Sequence, residues 1–375
     1  MTRWWWASAV ALLAACGSNA PDVPHLDWPT SAAIPLVQSA DDFYYTAMVS
    51  IGSQTFALVV DTGSSTTVVA STACTSCTLV SPLYSPGQTA KDTGDTTSGM
   101  YIDLGDWDGE IYIDQVGLGD STPAVPLEIA AITNQLGFFR DEYSEGILGA
   151  GPTQALDGDT TAYQDIAAES GAPNQLAFEL CSGSGTMWIG DPDATAMGSD
   201  LMYTPLTGAT PAAPYYNVAM SDLAIGGTSL GFDASTYNAA AIDTGTSDFI
   251  IPTGAYDMLV AQVDSSPGAT ALFGSQSLAD GCYTAAGVTA AQVDAMLPAM
   301  STTLGSGSAT LVVSAPPTRS YLNDVGGGMF CLAAADGGAG DQSVTILGDA
   351  FMRNFVTVID LDHDRAGFAT DVGCN

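Results

Sequence analysis

The chain has 375 residues, and its 41 Asp and Glu against 6 Lys and Arg give a formal net charge of −35 at pH 7. This balance argues against binding nucleic acid, because phosphates need cationic partners. Since 46% of the residues are hydrophobic, the chain can bury a large core and is not a disordered acidic tail. The surplus of carboxylates fits work in acid, where they lose charge, and equally fits a solubilising surface for high salt.

The N-terminus has the pattern of an export signal. Arg3 is followed by an uncharged run at residues 4–15, which is too short for a comfortable membrane span and leads into Cys16 and Gly17. Residues 1–15 therefore resemble a bacterial lipoprotein signal. This implies a lipid on Cys16 and export to an outer membrane, facing the periplasm or the cell surface. A cleaved secretory signal with an incidental cysteine is the alternative. Residues 16–33 have three prolines and little charge, and we expect them to form a tether.

Two short segments further along the chain read almost alike. Residues 56–65 read FALVVDTGSS, and residues 239–247 read AAAIDTGTS. Each is an apolar run that stops at Asp-Thr-Gly, which is typical of a buried strand entering a tight turn and would place Asp61 and Asp243 at strand ends. A third Asp-Thr-Gly, at residues 92–94, has no apolar run before it. We expect that copy to lie in a solvated loop formed by the polar stretch 89–99.

The two segments belong to an ordered internal duplication. Both halves contain Tyr-Tyr, Ile-Gly, Asp-Thr-Gly and Ile-Leu-Gly in the same order, at residues 44–45, 51–52, 61–63 and 147–149, and again at 215–216, 225–226, 243–245 and 346–348. Repetition on this scale predicts two similar β-rich lobes, each of which delivers one aspartate to a shared cleft. We expect the lobes to span residues 34–181 and 182–375.

With these motifs the chain resembles the pepsin-like aspartic peptidases, from about Ile34 to the C-terminus. Further matches are EGILG at residues 145–149, ILGDAFMRNFVTVID at 346–360 and RAGFA at 365–369. The resemblance implies a mostly β, bilobal fold and a monomeric aspartic endopeptidase that acts on peptides or proteins without a metal or other cofactor. It maps the catalytic aspartates onto Asp61 and Asp243. It maps the supporting residues of the two loops onto Thr62, Gly63, Ser64, Thr244, Gly245 and Thr246.

The chemistry of such a pair follows from electrostatics. Two carboxyls about 3 Å apart cannot both ionise easily, so they share one proton. The charged member acts as a base on a bound water, while the protonated member hydrogen-bonds the substrate carbonyl and later protonates the leaving amine. We therefore expect an acidic optimum. Zymogens of this family block the cleft with a basic leader, but residues 17–60 contain no Lys or Arg, so we expect an enzyme without a self-inhibiting prosegment.

A flap closes over the substrate in this family, and a hairpin pattern at residues 101–116 is expected to form it. The family usually bonds a flap Tyr to a Trp seven residues after the first catalytic aspartate, a position that is Val68 here. Tyr101 fits the flap Tyr at a slightly longer spacing, and Trp107 could substitute as the aromatic cover; hairpin packing is the alternative for both. Phe138 and Phe139 fall where the family lines a hydrophobic substrate pocket, with core packing as the alternative.

Six cysteines remain after Cys16, an even number in an exported chain. The resemblance implies a small disulfide loop and a large one, and elimination supplies the third pair: Cys74–Cys77, Cys282–Cys331 and Cys181–Cys374. For the first pair, a redox site or half a zinc site are the alternatives. Zinc is disfavoured because the chain has no second Cys-x-x-Cys and only two histidines, His25 and His363.

Three rival functions are weighed from the sequence. A paired-carboxylate glycosidase would not explain the duplicated Asp-Thr-Gly and Ile-Leu-Gly sets. Residues 227–231 read GTSLG, the Gly-x-Ser-x-Gly pattern of serine hydrolases, but they lie in an apparent hairpin turn, and His363 is the sole candidate base. The more serious rival is a catalytically silent module that binds peptides or proteins on a pepsin-like frame, because a fold does not guarantee activity. The chain keeps both aspartates and the hydroxyls beside them, which favours an active enzyme.

Overall fold

A computed structural model describes residues 31–39, 44–101, 105–119, 122–136, 144–152, 161–208, 215–237 and 239–374. These residues form mostly β-structure, as the sequence predicts. The predicted signal at residues 1–15, Cys16 and most of the predicted tether lie outside the described part of the chain.

The described residues of the first half form ten strands and one helix. They are β1 (Ser31–Gln38), β2 (Tyr45–Ile51), β3 (Gln54–Asp61), β4 (Val68–Ala70), β5 (Lys91–Tyr101), β6 (Gly105–Leu118), β7 (Val125–Leu136), β8 (Gly146–Gly149), α1 (Ala162–Ser170), β9 (Gln175–Cys181) and β10 (Ser184–Gly190). The helix is limited by a capping residue at each end. It begins after Thr161, whose N–H donates to the Gln164 side chain (3.0 Å), and it ends at Gly171 in the left-handed conformation.

The second half mixes strands with five helices in the described residues. They are β11 (Met202–Pro205), β12 (Asn217–Ile225), β13 (Thr228–Ser229), α2 (Ala234–Tyr237), β14 (Ala239–Ile242), β15 (Phe249–Ile251), α3 (Thr253–Asp264), α4 (Pro267–Phe273), β16 (Cys282–Thr284), α5 (Ala290–Met296), β17 (Met300–Leu304), β18 (Leu311–Ala315), β19 (Leu322–Gly326), β20 (Met329–Leu332), β21 (Ala334–Asp336), β22 (Thr345–Leu347), α6 (Asp349–Met352), β23 (Phe355–Asp360) and β24 (Arg365–Thr370). None of the helices in the described ranges is both long and apolar enough to cross a membrane.

One sheet of 13 strands joins the two halves. Its order is β11-β24-β23-β9-β10-β1-β2-β3-β8-β4-β7-β6-β5, so three strands of the second half continue the sheet of the first. The second half also has an eight-stranded sheet around β12, β14 and β22, and a three-stranded sheet of β16, β20 and β19. The proposed lobe boundary at residue 181 falls in the turn between β9 and β10, inside the shared sheet.

The duplication seen in the sequence is also a duplication of strand pairing. In the first half β3 pairs in parallel with β8, which places Asp61 opposite Gly149. In the second half β14 pairs in parallel with β22, which places Ile242 opposite Leu347. In each half the short strand after the Asp-Thr-Gly loop, β4 or β15, pairs antiparallel with the Ile-Leu-Gly strand. In each half, therefore, the strand before the Asp-Thr-Gly loop and the strand after it both pair with the Ile-Leu-Gly strand.

Two sequence predictions about the first half are wrong. The polar stretch 89–99, expected to be a loop, is mostly strand β5, because residues 91–101 pair with β6 while exposing their hydroxyl side chains. The predicted tether ends too late, since residues 31–33 already belong to β1, where they pair with β10. The partner of β5 is the next strand, β6, whereas the partner of β1 is distant in the sequence. A polar or short pattern does not reveal either pairing.

The core consists of one large cluster and two smaller ones. One of the small clusters lies beneath the β5–β6 hairpin, and we refer to it as the hairpin cluster. Its buried members come from β4, β6, β7, β8 and the segment after β4: Val68, Ala70, Cys74, Cys77, Val80, Trp107, Ala130, Ile132 and Ile147.

Candidate active site

The two Asp-Thr-Gly loops meet and bond to each other through their threonines. The backbone N–H of Thr62 donates to the hydroxyl of Thr244 (3.1 Å), and the N–H of Thr244 donates to the hydroxyl of Thr62 (3.0 Å). Each hydroxyl then donates across the junction to a strand carbonyl, Thr62 to Ile242 (2.9 Å) and Thr244 to Val60 (2.7 Å). Both threonines are almost fully buried, so these four bonds fix the two loops in a two-fold arrangement.

Each aspartate is held by its own loop in the same way. Oδ1 of Asp61 accepts from the N–H of Gly63 (2.8 Å), and Oδ2 accepts from the hydroxyl of Ser64. The second loop repeats the pattern, because Asp243 accepts from the N–H of Gly245 (2.8 Å) and from the Thr246 hydroxyl (2.7 Å). The sequence predicts this set of eight loop residues, and the structure brings all of them together.

The glycines of both loops allow the two carboxyls to approach. A methyl group on Gly63 would lie 2.6 Å from Cγ of Asp243, and one on Gly245 would overlap the carboxyl of Asp61. Each glycine therefore lies directly against the aspartate of the opposite loop. A side chain at either position would push the two carboxyls apart.

The Ile-Leu-Gly repeats pack against the backbone of the two Asp-Thr-Gly loops. A Cβ on Gly149 would collide with the backbone of Ser65 and Thr66, and one on Gly348 would collide with the carbonyls of Thr246 and Asp248. The next residue in each repeat bonds to the loop, since the Ala150 N–H donates to the Asp61 carbonyl (2.8 Å) and the Asp349 N–H to the Thr246 carbonyl (2.8 Å). Glycine is needed here because backbone packs directly on backbone.

The environment of the pair favours one shared proton. Asp61 is buried, and this burial together with the neighbouring charge of Asp243 raises the pKa of the Asp61 carboxyl well above its usual range. The bonds from Ser64 and Gly63 act in the opposite direction, because they stabilise the ionised form and lower this pKa. Burial and the neighbouring charge therefore favour the protonated form of the Asp61 carboxyl.

Two further side chains near the pair were not singled out from the sequence. Tyr215 is 38% exposed, and the charges of Asp243 and Asp61, together with its own partial burial, raise the pKa of its hydroxyl. Asp349 is buried at the start of α6, where burial and the negative charges of the pair raise the pKa of its carboxyl, against the opposing effect of Arg353. The Tyr-Tyr repeat is the signal that could have identified Tyr215.

The predicted flap and pocket residues are only partly described. Tyr101 ends β5, but its side chain lies outside the described part of the structure, as do Phe138 and Phe139 entirely. Trp107 lies on β6, is 3% exposed and packs into the hairpin cluster. The hairpin differs from the one expected at residues 101–116, because residues 105–116 all belong to β6 and the strand paired with them is β5.

The cysteines form the three pairs expected from the sequence. Disulfides join Cys74 to Cys77, Cys181 to Cys374 and Cys282 to Cys331. In the described residues, the one group of potential metal ligands is Glu179 with Cys181 and Cys374. Since these two sulfurs are bonded to each other, they offer no thiolate to a metal.

The serine hydrolase pattern does not assemble a catalytic pair. Ser229 lies in the two-residue strand β13, and its hydroxyl donates to Asp222 (2.6 Å). The ring of His363 bonds instead to Asp360 (2.9 Å). The pattern at residues 227–231 is therefore a hairpin turn, as the sequence favours.

Comparison with known proteins gives the same assignment over most of the chain. Residues 44–371 match the family described as eukaryotic aspartyl protease. An aspartic protease from Phaffia rhodozyma is 26% identical over 351 residues, which cover 93% of this chain and 81% of that protein. Cathepsin E from Rattus norvegicus is 29% identical over 364 residues, with 90% and 82% covered, and gastricsin from Cavia porcellus is 27% identical over 356 residues, with 88% and 80% covered. The chain thus belongs to the eukaryotic aspartyl protease family, whose members are pepsin-like hydrolases of peptide bonds.

Proposed function

We propose that this chain is an aspartic endopeptidase in which Asp61 and Asp243 share one proton and activate a water molecule. The observation that carries the proposal is the two-fold junction of the loops, in which each carboxyl has a glycine of the opposite loop against it. The ionised carboxyl takes a proton from the water as it attacks the substrate carbonyl. The protonated carboxyl bonds the carbonyl oxygen and then donates its proton to the leaving amine.

Peptide or protein segments are the substrates in this proposal. The β5–β6 hairpin serves as the flap, with Tyr101 at its end. Phe138 and Phe139 contribute to an apolar pocket. We expect Tyr215, a partly exposed aromatic side chain near both aspartates, to contact a bound substrate. We expect a monomer, because each chain supplies both aspartates.

The proposal predicts activity in acid that is lost as the pH rises. Because the pKa of Asp61 is raised, its proton is held at low and intermediate pH and leaves as the pH passes the raised value, which ends general-acid function. Ser64→Ala removes a bond that lowers this pKa, so the alkaline limb of the pH profile should move to higher pH. The measurement is kcat/KM for an unstructured peptide from about pH 2 to about pH 9, which covers the pKa values that carboxyl groups have in proteins.

A maximum in alkaline solution, or activity that is abolished by a metal chelator, would exclude this mechanism. An alkaline limb that stays in place in Ser64→Ala would show that the shared proton does not control the profile. Ser76→Ala is a suitable control, because its hydroxyl bonds Asn134 (3.1 Å) rather than either aspartate.

The rival proposal is a catalytically inactive module that binds peptides or proteins and has the same fold. The two outcomes separate in a cleavage assay with and without pepstatin, a peptide-like inhibitor of aspartic peptidases. Inhibitor binding without cleavage of any peptide at any acidic pH would favour the binding module. The intact set of carboxyls and hydroxyls in both loops favours the enzyme.

We also propose that the protein is an exported bacterial lipoprotein, attached to an outer membrane through Cys16. The support is the sequence pattern of residues 1–17, and multiple acyl chains would make the attachment stable. Residues 17–60 offer no Lys or Arg that could pair with an acidic cleft, so we expect no inhibitory basic segment there. Mass spectrometry of the native N-terminal peptide should show a lipid on Cys16, and an unmodified Cys16 thiol would refute the anchor.

A further inference from the structure

The β5–β6 hairpin is fastened to the rest of the first lobe through the hairpin cluster. Trp107 is the one aromatic side chain among the buried members of this cluster, and it comes from the hairpin itself. The other buried members of the cluster include Val68 on β4, Ile147 on β8 and the disulfide-bonded Cys74 and Cys77. A large ring therefore fills the space between the hairpin and the body of the lobe, where smaller aliphatic side chains meet it.

Two glycines of the hairpin leave room for the indole ring of Trp107. Gly99 is the cross-strand partner of Trp107, and a methyl group at Gly99 would lie 2.8 Å from three atoms of the indole. A methyl group at Gly109 would lie 3.4 Å from Cζ3 of the same ring. The indole thus lies against the backbone of both strands, and any side chain at position 99 would displace it.

The cluster also connects the hairpin end to the strand of the first aspartate. Ile147 pairs with Val59 of β3, two residues before Asp61. On the other side, Gly99 lies two residues before Tyr101, where β5 ends. A shift of the ring would therefore change the position of the hairpin end relative to the strand that carries Asp61.

We propose that Trp107 is a positioning residue, which fixes residues 99–101 and 105–107 of the β5–β6 hairpin against β4 and β8, so that the hairpin can act as the flap of the proposed function. The inference rests on the proposed peptidase function. It differs from a cover that contacts substrate, because Trp107 is 3% exposed and acts from beneath the hairpin. A merely structural role would lower stability and leave turnover by the folded enzyme unchanged.

The test compares three variants with a control from the same cluster. Trp107→Leu removes the ring, Gly99→Ala displaces it and Trp107→Phe keeps an aromatic ring. We expect kcat/KM to fall by about 10- to 100-fold in the first two, and by no more than about threefold in Trp107→Phe, because small misplacements of substrate-positioning groups have effects of this size. Val80→Ala should destabilise the folded protein while keeping kcat/KM within about threefold of wild type, because Val80 is buried in the cluster but lies outside the hairpin.

A double variant that restores the ring and a measurement of hydrogen exchange in the hairpin complete the test. In the double variant Val68→Trp with Trp107→Val, the ring returns to the cluster from β4, and at least part of the lost kcat/KM should return. Hydrogen exchange should be faster in residues 95–107 of Gly99→Ala than of wild type. Gly87→Ala is its control, since a methyl group there meets nothing within 4 Å.

The outcomes separate this inference from the proposed function. If wild type cleaves peptides and Asp61→Asn does not, the peptidase proposal holds. The positioning role is then overturned if folded Trp107→Leu and Gly99→Ala keep wild-type kcat and KM, or if Val80→Ala loses as much kcat/KM as Trp107→Leu does. Cleavage that persists in Asp61→Asn would overturn the peptidase proposal itself. If Trp107→Leu fails to fold, Gly99→Ala and Trp107→Phe still decide the question.

Discussion

Replacing either Asp61 or Asp243 with Asn is expected to abolish peptide hydrolysis, with a loss of kcat of about 10⁴-fold or more. Asn keeps the shape of the side chain and can accept the bond from the glycine N–H of its loop, but it can neither take a proton from water nor share one. The double variant should lose no more activity than either single variant, because the two carboxyls act as one unit. The measurement is single-turnover cleavage of a peptide in acid.

The chain supplies a matched control for this experiment. Asp92 belongs to the third Asp-Thr-Gly, and its Oδ1 accepts from the N–H of Gly94 (2.8 Å), the same local bond that Asp61 and Asp243 make. It differs in being exposed on β5 and in having Asp95 at the position where Ser64 and Thr246 donate a hydroxyl bond to Asp61 and Asp243. Asp92→Asn should therefore cleave peptides at the wild-type rate.

These substitutions should not unfold the protein. Each removes one member of a pair of like, partly buried carboxyls, which relieves repulsion and a desolvation cost. We expect the midpoint of thermal unfolding in acid to stay the same or rise. Wild-type activity in Asp61→Asn would refute the mechanism, whereas loss of activity accompanied by loss of the fold would point to a structural role for the carboxyl.

The site was predictable from the sequence because the residues that form each loop lie close together in the sequence, and because the pattern occurs twice. An apolar run, an aspartate, a glycine and a hydroxyl residue occur within about ten positions, and the repetition indicates that the two copies form one site. The Asp-Thr-Gly tripeptide alone would have predicted a third catalytic loop, since residues 92–94 have the same three residues but no buried strand before them. Context distinguished the copies, as the exposed position of Asp92 shows.

The parts that the sequence did not predict depend on contacts between secondary-structure elements. The polar stretch of β5 forms a strand because β6 offers it a partner, and residues 31–33 are extended because β10 pairs with them. The position of Trp107 depends on two glycines of the hairpin and on a cluster from four other segments. Periodicity within a short window contains no information about such neighbours.

Unlike the aspartates, the threonines that join the two loops should contribute to stability as well as to the reaction. In Thr62→Val the side chain keeps its shape but loses its hydroxyl, which leaves the Ile242 carbonyl and the Thr244 N–H without their partner. Both groups are buried, and unsatisfied buried groups of this kind cost about 1–3 kcal/mol each. We expect the free energy of unfolding to fall by about 3 kcal/mol. Thr244→Val should behave alike, because its bonds to Val60 and Thr62 are equivalent.

The same substitutions should slow the reaction, because the threonine bonds set the distance between the loops. We expect kcat to fall by about 10- to 100-fold in each folded variant, since effects of this size follow from misplacing reacting groups by about 1 Å. Thr93→Val is the control from the third Asp-Thr-Gly. Its hydroxyl bonds the carbonyl of Ile111 within the hairpin (2.8 Å), so kcat should be unchanged.

A double-mutant cycle then tests whether the two threonines act together. Their four bonds share one junction, so the loss in Thr62→Val with Thr244→Val should differ from the sum of the single losses by about 0.5–3 kcal/mol. The variants are compared by urea unfolding in acid, where the shared proton is retained, and by kcat at the same pH. Strictly additive losses of stability with wild-type kcat would mean that each loop holds its aspartate alone. A non-additive loss, together with reduced kcat, would mean that the lobes are joined and the carboxyls aligned by the same four hydrogen bonds.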